Sequence, residues 1–133
     1  MDITYKPIEP VDYQKLRQLL IDTGWQKRVQ DLSRFERMMQ GASRTIAAFE
    51  GERVVGFARA LFDGASNGYI STVAVADDKR RQGIGRELVK RLMDVEEAEK
   101  ITWVLRAGRG SEGFWERMGF KKSETAMEVV RKE

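Results

Sequence analysis

Near Gly85 the hydrophobic period of this chain changes from two to 3.6, and two closely spaced glycines mark the change. Upstream, Tyr69 to Ala76 is an apolar run rich in β-branched residues, which suits a central strand. Downstream, Ile84, Leu88, Leu92 and Val95 share one face of a helix, with Arg86, Lys90 and Arg91 elsewhere. Ile101 to Leu105 then reads as another strand. Strand, helix and strand in that order form a parallel crossover, so the chain is of mixed α/β class rather than all-α or all-β.

The remaining elements fit around this unit. Ile3 and Tyr5 alternate ahead of Pro7 and Pro10, with Ile8 between the two prolines, marking a short first strand. Tyr13, Leu16, Leu19 and Leu20 fall at helical spacing up to a stop at Gly24. Val29, Leu32, Phe35, Met38 and Met39 mark a second helix, closed by Gly41. Thr45 to Phe49 and Val54 to Phe62 are strands joined at Glu50-Gly51-Glu52. The turn Asp63 to Gly68 comes next, and Ser111 to Met118 is a short helix stopped by Gly119. Phe120 to Val130 is expected to close the sheet as a last strand. The reading is one domain over residues 1–133, with antiparallel early strands, about six strands in all and about four flanking helices. No repeat or linker interrupts it.

The strand-to-helix turn also carries chemistry. Within Lys79-Arg80-Arg81-Gln82-Gly83-Ile84-Gly85-Arg86 four side chains are positive and none is acidic, against a net charge of +3 for all 133 residues. Glycines let a ligand approach the backbone closely. The free N–H groups and dipole at a helix start favour an anion. One reading is therefore a phosphate or pyrophosphate cradle; the other is a solvated basic turn whose glycines only tighten the connection. A dinucleotide fingerprint needs a third glycine where Leu88 stands. A P-loop at Gly108 to Gly113 fails because Phe114 and Trp115 replace the required Lys and Ser/Thr.

The composition narrows the chemistry further. The chain has no His and no Cys. That excludes a cysteine nucleophile, a disulfide framework, thiolate metal sites and a histidine base. No carboxylate loop for calcium appears either, and no metal is expected. With neither a signal peptide pattern at the start nor an apolar run long enough to span a bilayer, a soluble cytoplasmic protein is expected.

Arg80-Arg81-Gln82-Gly83-Ile84-Gly85 resembles the Arg/Gln-x-x-Gly-x-Gly/Ala acyl-CoA signature of the GNAT superfamily of N-acetyltransferases. Val73-Ala74-Val75 is similar to that family's splayed fourth strand. Gly113-Phe114-Trp115-Glu116-Arg117-Met118-Gly119-Phe120 is similar to its later helix. The resemblance implies a GNAT-like α/β (α+β) domain with a splayed acyl-CoA cleft and acetyl-CoA as co-substrate. It implies that the Val73, Ala74 and Val75 backbone pairs with the pantetheine arm. The segment Arg80, Arg81, Gln82, Gly83, Ile84, Gly85 and Arg86 would hold the pyrophosphate. The reaction would be direct acetyl transfer to a primary amine of a small molecule or peptide. The alternative is a CoA-binding regulatory module that has lost catalysis.

The chain departs from the family where protons move. Trp115 stands where relatives often place a tyrosine that protonates the departing thiolate, and its leading reading is a packing residue against the cofactor or core. Tyr69-Ile70-Ser71-Thr72 holds no carboxylate where many relatives place one. Asp63 and Glu112 remain candidate bases, beside structural readings as a turn residue and a helix-start charge, and a water chain is the third option. Trp25, Phe35 and Arg59 are candidate acceptor-site residues, with core packing and a solvated strand face as their other readings. No nucleic-acid or membrane partner is expected. A homodimer is an expectation by analogy alone.

Overall fold

Alternating and β-branched segments pair in chain order, and the helices close over the two faces of the resulting sheet. The computed structural model describes residues 2–132. Five strands line up as β1-β2-β3-β4-β5: β1 (Ile3–Lys6), β2 (Arg44–Glu50), β3 (Arg53–Phe62), β4 (Asn67–Val75) and β5 (Thr102–Leu105). The first four pair antiparallel, and β4 with β5 parallel, as the crossover demands. The helices are α1 (Tyr13–Asp22), α2 (Gln26–Val29), α3 (Leu32–Gln40), α4 (Ile84–Leu92) and α5 (Glu112–Arg117). Among the described residues no helix is long and apolar enough to cross a membrane.

Two segments differ from expectation. The single helix expected over Val29 to Met39 is broken between α2 and α3. Asp31 leaves helical geometry and its side chain caps α3 by accepting from the Arg34 backbone N–H at 3.0 Å. Arg17 donates to the carbonyls of Val29 (2.7 Å) and Gln30 (2.9 Å), ending α2 from the side. The expected closing strand at Phe120 to Val130 does not form, so the sheet has five strands rather than about six. Its alternation leaves Met127 and Val129 almost fully exposed. The Arg106–Glu128 ion pair (2.7 Å) ties this stretch beside β5. β-Propensity without a partner strand and a covered face does not make a strand.

The core is built on β3. Val55 and Phe57 are fully buried with Leu16 and Leu20 of α1 and Phe35 of α3. On the other face, Gly56 lets α4 lie close to the sheet. A Cβ there would meet Ile84 Cγ2 and Leu88 Cδ1 at 3.0 Å. Burying side chains such as Ile84 and Leu88 is worth about 1.5–3 kcal/mol each, which fixes α4 and the turn preceding it against the sheet.

Two irregularities on β4 interrupt the regular sheet. The β3–β4 register shifts between Arg59 and Ala60, leaving Ser71 as an extra residue on β4. The β4–β5 register covers only Asn67–Ile70 with Thr102–Leu105. At that paired end Trp103 stacks on Phe62 (5.4 Å between rings), and its ring lies where a side chain on Gly68 would go. Beyond Ile70 the two strands part.

Candidate active site

The parting of β4 and β5 opens a cleft of about 660 Å³. Ile70 to Val75 form one wall, the turn and start of α4 one end, and Leu105 to Ser111 with α5 the opposite wall. Because residues 71–75 have no β5 partner, their backbone edge is available to an extended amide-bearing ligand.

At the end of the cleft, Arg81 (φ 65°) and Gly83 (φ 81°) both take left-handed backbone conformations. Such a turn directs successive N–H groups into a concavity that suits an anion. Gly83 is the residue preceding α4, where no side chain caps the helix. The first closing bond runs from Glu87 N–H to the Gly83 carbonyl at 3.0 Å. The N–H groups of Ile84, Gly85 and Arg86 therefore lack intrahelical partners, and all three residues line the cleft. Gly85 matters for space: a Cβ there would sit 3.4 Å from Phe114 and 3.7 Å from Val75, in the gap between the two walls. A larger side chain would fill that gap.

The cleft is strongly polarised. Lys79, Arg80, Arg81, Arg86, Arg106, Arg109 and Arg117 line it, and among the described residues no aspartate or glutamate does. Lys79 is held by Glu50 at 2.5 Å in a mostly buried pair, which anchors the turn to the end of β2. Arg80 meets Asp77 at 3.2 Å. Arg81, Arg86, Arg109 and Arg117 have no carboxylate partner among the described residues. Cations that find no acids in the fold raise the potential where a polyanion would lie. Among the described residues no cluster of three or more potential ligand side chains could hold a metal ion.

The residues named from sequence fall into two groups. Val73, Ala74, Val75, Arg80, Arg81, Gly83, Ile84, Gly85 and Arg86 all line the cleft, whereas Gln82 does not. Trp25 also lines it, from the loop after α1. Trp115 is 8% exposed and packs edge-on against Phe114 (5.0 Å) and Phe120 (5.3 Å), with its remaining surface on the cleft.

The other candidates lie outside the cleft. Asp63 accepts from the backbone N–H groups of Ala65 (2.8 Å), Ser66 (2.8 Å) and Asn67 (3.1 Å), and from Ser66 Oγ (2.7 Å). Those donors hold its carboxyl well below the usual carboxylate range, the Ser66 and Ala65 N–H groups contributing most. Such a carboxylate clasps its turn and is a poor proton acceptor. Glu112 starts α5 and pairs with Lys122 at 3.1 Å. Phe35 is fully buried, edge-on to Tyr13 at 5.9 Å, and so belongs to the core rather than to an acceptor wall. Arg59 sits behind the cleft on β3, where it donates to Ser71 Oγ.

Sequence reasoning missed the opposite wall. Gly108 to Ser111 fails as a P-loop but curves around the cleft, adding Arg109 there while Arg117 comes from α5. The basic, glycine-rich Arg106-Ala107-Gly108-Arg109-Gly110 was the available signal. Thr23, Ser71 and Thr72 also line the cleft, and nothing in their local pattern marks them.

Residues 8–131 match the family described as Acetyltransferase (GNAT) domain. No curated protein matches the chain. Among solved structures, a GNAT-family acetyltransferase of Streptococcus pneumoniae is similar at 26% identity and TM-score 0.78, over 99% of this chain and 100% of that one. A GNAT-family protein of Xanthomonas campestris is similar at 23% identity and TM-score 0.82, over 98% of this chain and 94% of that one. The glucosamine-6-phosphate N-acetyltransferase of Arabidopsis thaliana shares the fold at 17% identity and TM-score 0.72, over 98% and 99% of the two chains.

Proposed function

The chain belongs to the GNAT acetyltransferase family, and from that premise we propose that it transfers the acetyl group of acetyl-CoA directly to a primary amine of a small molecule or peptide. The observation that carries this reading is the cation-lined cleft between β4 and β5, with unpaired N–H groups of α4 at one end. Its parts fit the substrate. Arg81 to Arg86 offer backbone donors and positive charge to a pyrophosphate. The free edge of Val73 to Val75 offers hydrogen bonds to the amides of the pantetheine arm. The cations are gathered in a concavity, which suits a compact polyphosphate better than a nucleic-acid duplex.

In this mechanism a backbone N–H of the Val73–Val75 edge donates to the thioester carbonyl oxygen, where negative charge develops. One such donor contributes roughly 3 kcal/mol to barrier lowering. The amine nitrogen bonds to the carbonyl carbon, the C–S bond breaks, and the sulfur leaves as thiolate. A thiol with an ordinary pKa near 8.5 leaves without an acid. Trp115, whose indole N–H donates but does not protonate, therefore suffices beside it. The amine proton passes to water, because no carboxylate lines the cleft among the described residues. The kcat/KM profile should accordingly rise with pH up to the pKa of the acceptor amine itself, with a break that moves when an amine of different pKa is used. A break fixed in the carboxylate range would put a protein base back in the mechanism.

The test is acetyl-CoA-dependent thiol release and N-acetyl product formation across an amine panel. Turnover of at least one amine supports the enzyme. Tight binding of acetyl-CoA with no transfer to any amine would instead support a CoA-binding regulatory module, the reading favoured by the cleft's lack of a carboxylate.

A further inference from the structure

We propose that the acceptor amine also bears a carboxylate, held by Arg59, which stands on β3 behind the Ser71 stretch of the cleft wall; this rests on the acetyltransferase reading above. Arg59 is a half-buried guanidinium on the central strand β3. Its one hydrogen bond runs to Ser71 Oγ, on the extra residue of the β4 bulge that itself lines the cleft. Its Nε is buried without a hydrogen-bond partner. Among the described residues no carboxylate pairs with it. A buried, under-partnered cation is costly unless something anionic completes it.

A second cation increases that cost. Arg28 shares a pocket with Tyr69, two residues before Ser71, and a hollow with Trp25, which also borders the main cleft. Burial first, and then the positive charge of Arg28, hold the Arg59 pKa below its ordinary value, with Tyr69 opposing. The one acid in the pocket that Arg28 shares with Tyr69 is Glu128, which is already paired with Arg106 at 2.7 Å, so among the described residues an added anion is what would relieve the two guanidinium groups. The planar guanidinium fork matches a carboxylate. The bulge at Ser71 brings this charge to the part of β4 that faces the reacting centre, so amine and carboxylate would belong to one small molecule.

The experiment compares glycine, β-alanine and 4-aminobutyrate with their primary amides, and β-alanine with phosphoethanolamine, as acceptors for the wild-type protein. A charged hydrogen bond predicts that the best acid exceeds its amide by about tenfold or more in kcat/KM. In Arg59→Met the ratio should fall to within about twofold while the Kd for acetyl-CoA stays unchanged. Arg28→Ala, a change at a more exposed position, should lower the ratio about threefold and covers the case in which the Arg59 variant does not fold. Acids and amides within twofold in the wild type, a ratio that survives Arg59→Met, or a preference for phosphoethanolamine would each overturn the proposal while leaving the acetyltransferase reading intact. No transfer to any amine would overturn that reading instead. The carboxylate site is then judged by calorimetric binding of β-alanine to the protein–CoA complex, where binding lost in Arg59→Met supports it and no binding overturns it.

Discussion

The two ends of the cleft are built from different materials. The end at α4 is made largely of main chain: left-handed turns at Arg81 and Gly83, free N–H groups at Ile84 to Arg86, and a glycine that keeps the gap open. The end proposed for the acceptor draws on side chains from distant segments, with Trp25 from the loop after α1 and Ser71 from the β4 bulge on the cleft, and Arg59 of β3 behind Ser71. A polyphosphate is the same in every reaction of this type, and a backbone cradle can recognise it through local geometry alone. An acceptor differs from one enzyme to the next, so its contacts lie where side chains can be exchanged without disturbing the turn.

Four substitutions test this contrast. Gly83→Glu forces a side chain onto φ 81° and sets a negative charge at the pyrophosphate seat. Acetyl-CoA affinity should fall by about a thousandfold, roughly 4 kcal/mol, by calorimetry. Wild-type affinity in a folded variant would break the main-chain account. Phe35→Ala should cost about 3–4 kcal/mol of unfolding free energy in a denaturant titration, because Phe35 fills the core. A stable variant with an altered acceptor KM would return it to the site wall. Trp25→Ala should raise the acceptor KM about tenfold and leave the acetyl-CoA Kd within about twofold, which separates the two ends kinetically. Trp115→Tyr should leave kcat within about twofold of wild type or higher. A fall to background would show that the indole shapes the site.

The same contrast explains what was legible in the sequence. The strand–turn–helix geometry at the start of α4 could be read because its requirements are contiguous: an apolar strand, basic residues, glycines two apart and a helix at 3.6 spacing all fall within Thr72 to Leu92. The parallel crossover came from the same switch of period, and the antiparallel pairing of the earlier strands from the hairpin at Glu50-Gly51-Glu52. The break between α2 and α3 was hidden because Asp31 and Arg17, which cause it, sit within an otherwise helical apolar pattern. The stretch from Phe120 to Val130 has the pattern of a strand but no partner, and pairing is not a local property. Asp63 and Phe35 show the limit at the site itself. Spacing placed both near candidate elements, whereas a turn clasp and a core position decided what their side chains do.

The short pairing of β4 with β5 has a mechanical consequence. The strands are joined over four register pairs, after which β4 stays paired to β3 through Thr72–Val75 while β5 ends at Leu105, so Asn67–Ile70 acts as a pivot about which the wall after Leu105 can tilt against a fixed β4. The pivot is set by Trp103 lying over Gly68, with no room for a side chain between them. The width of the mouth is thus set at a point that does not itself line the cleft.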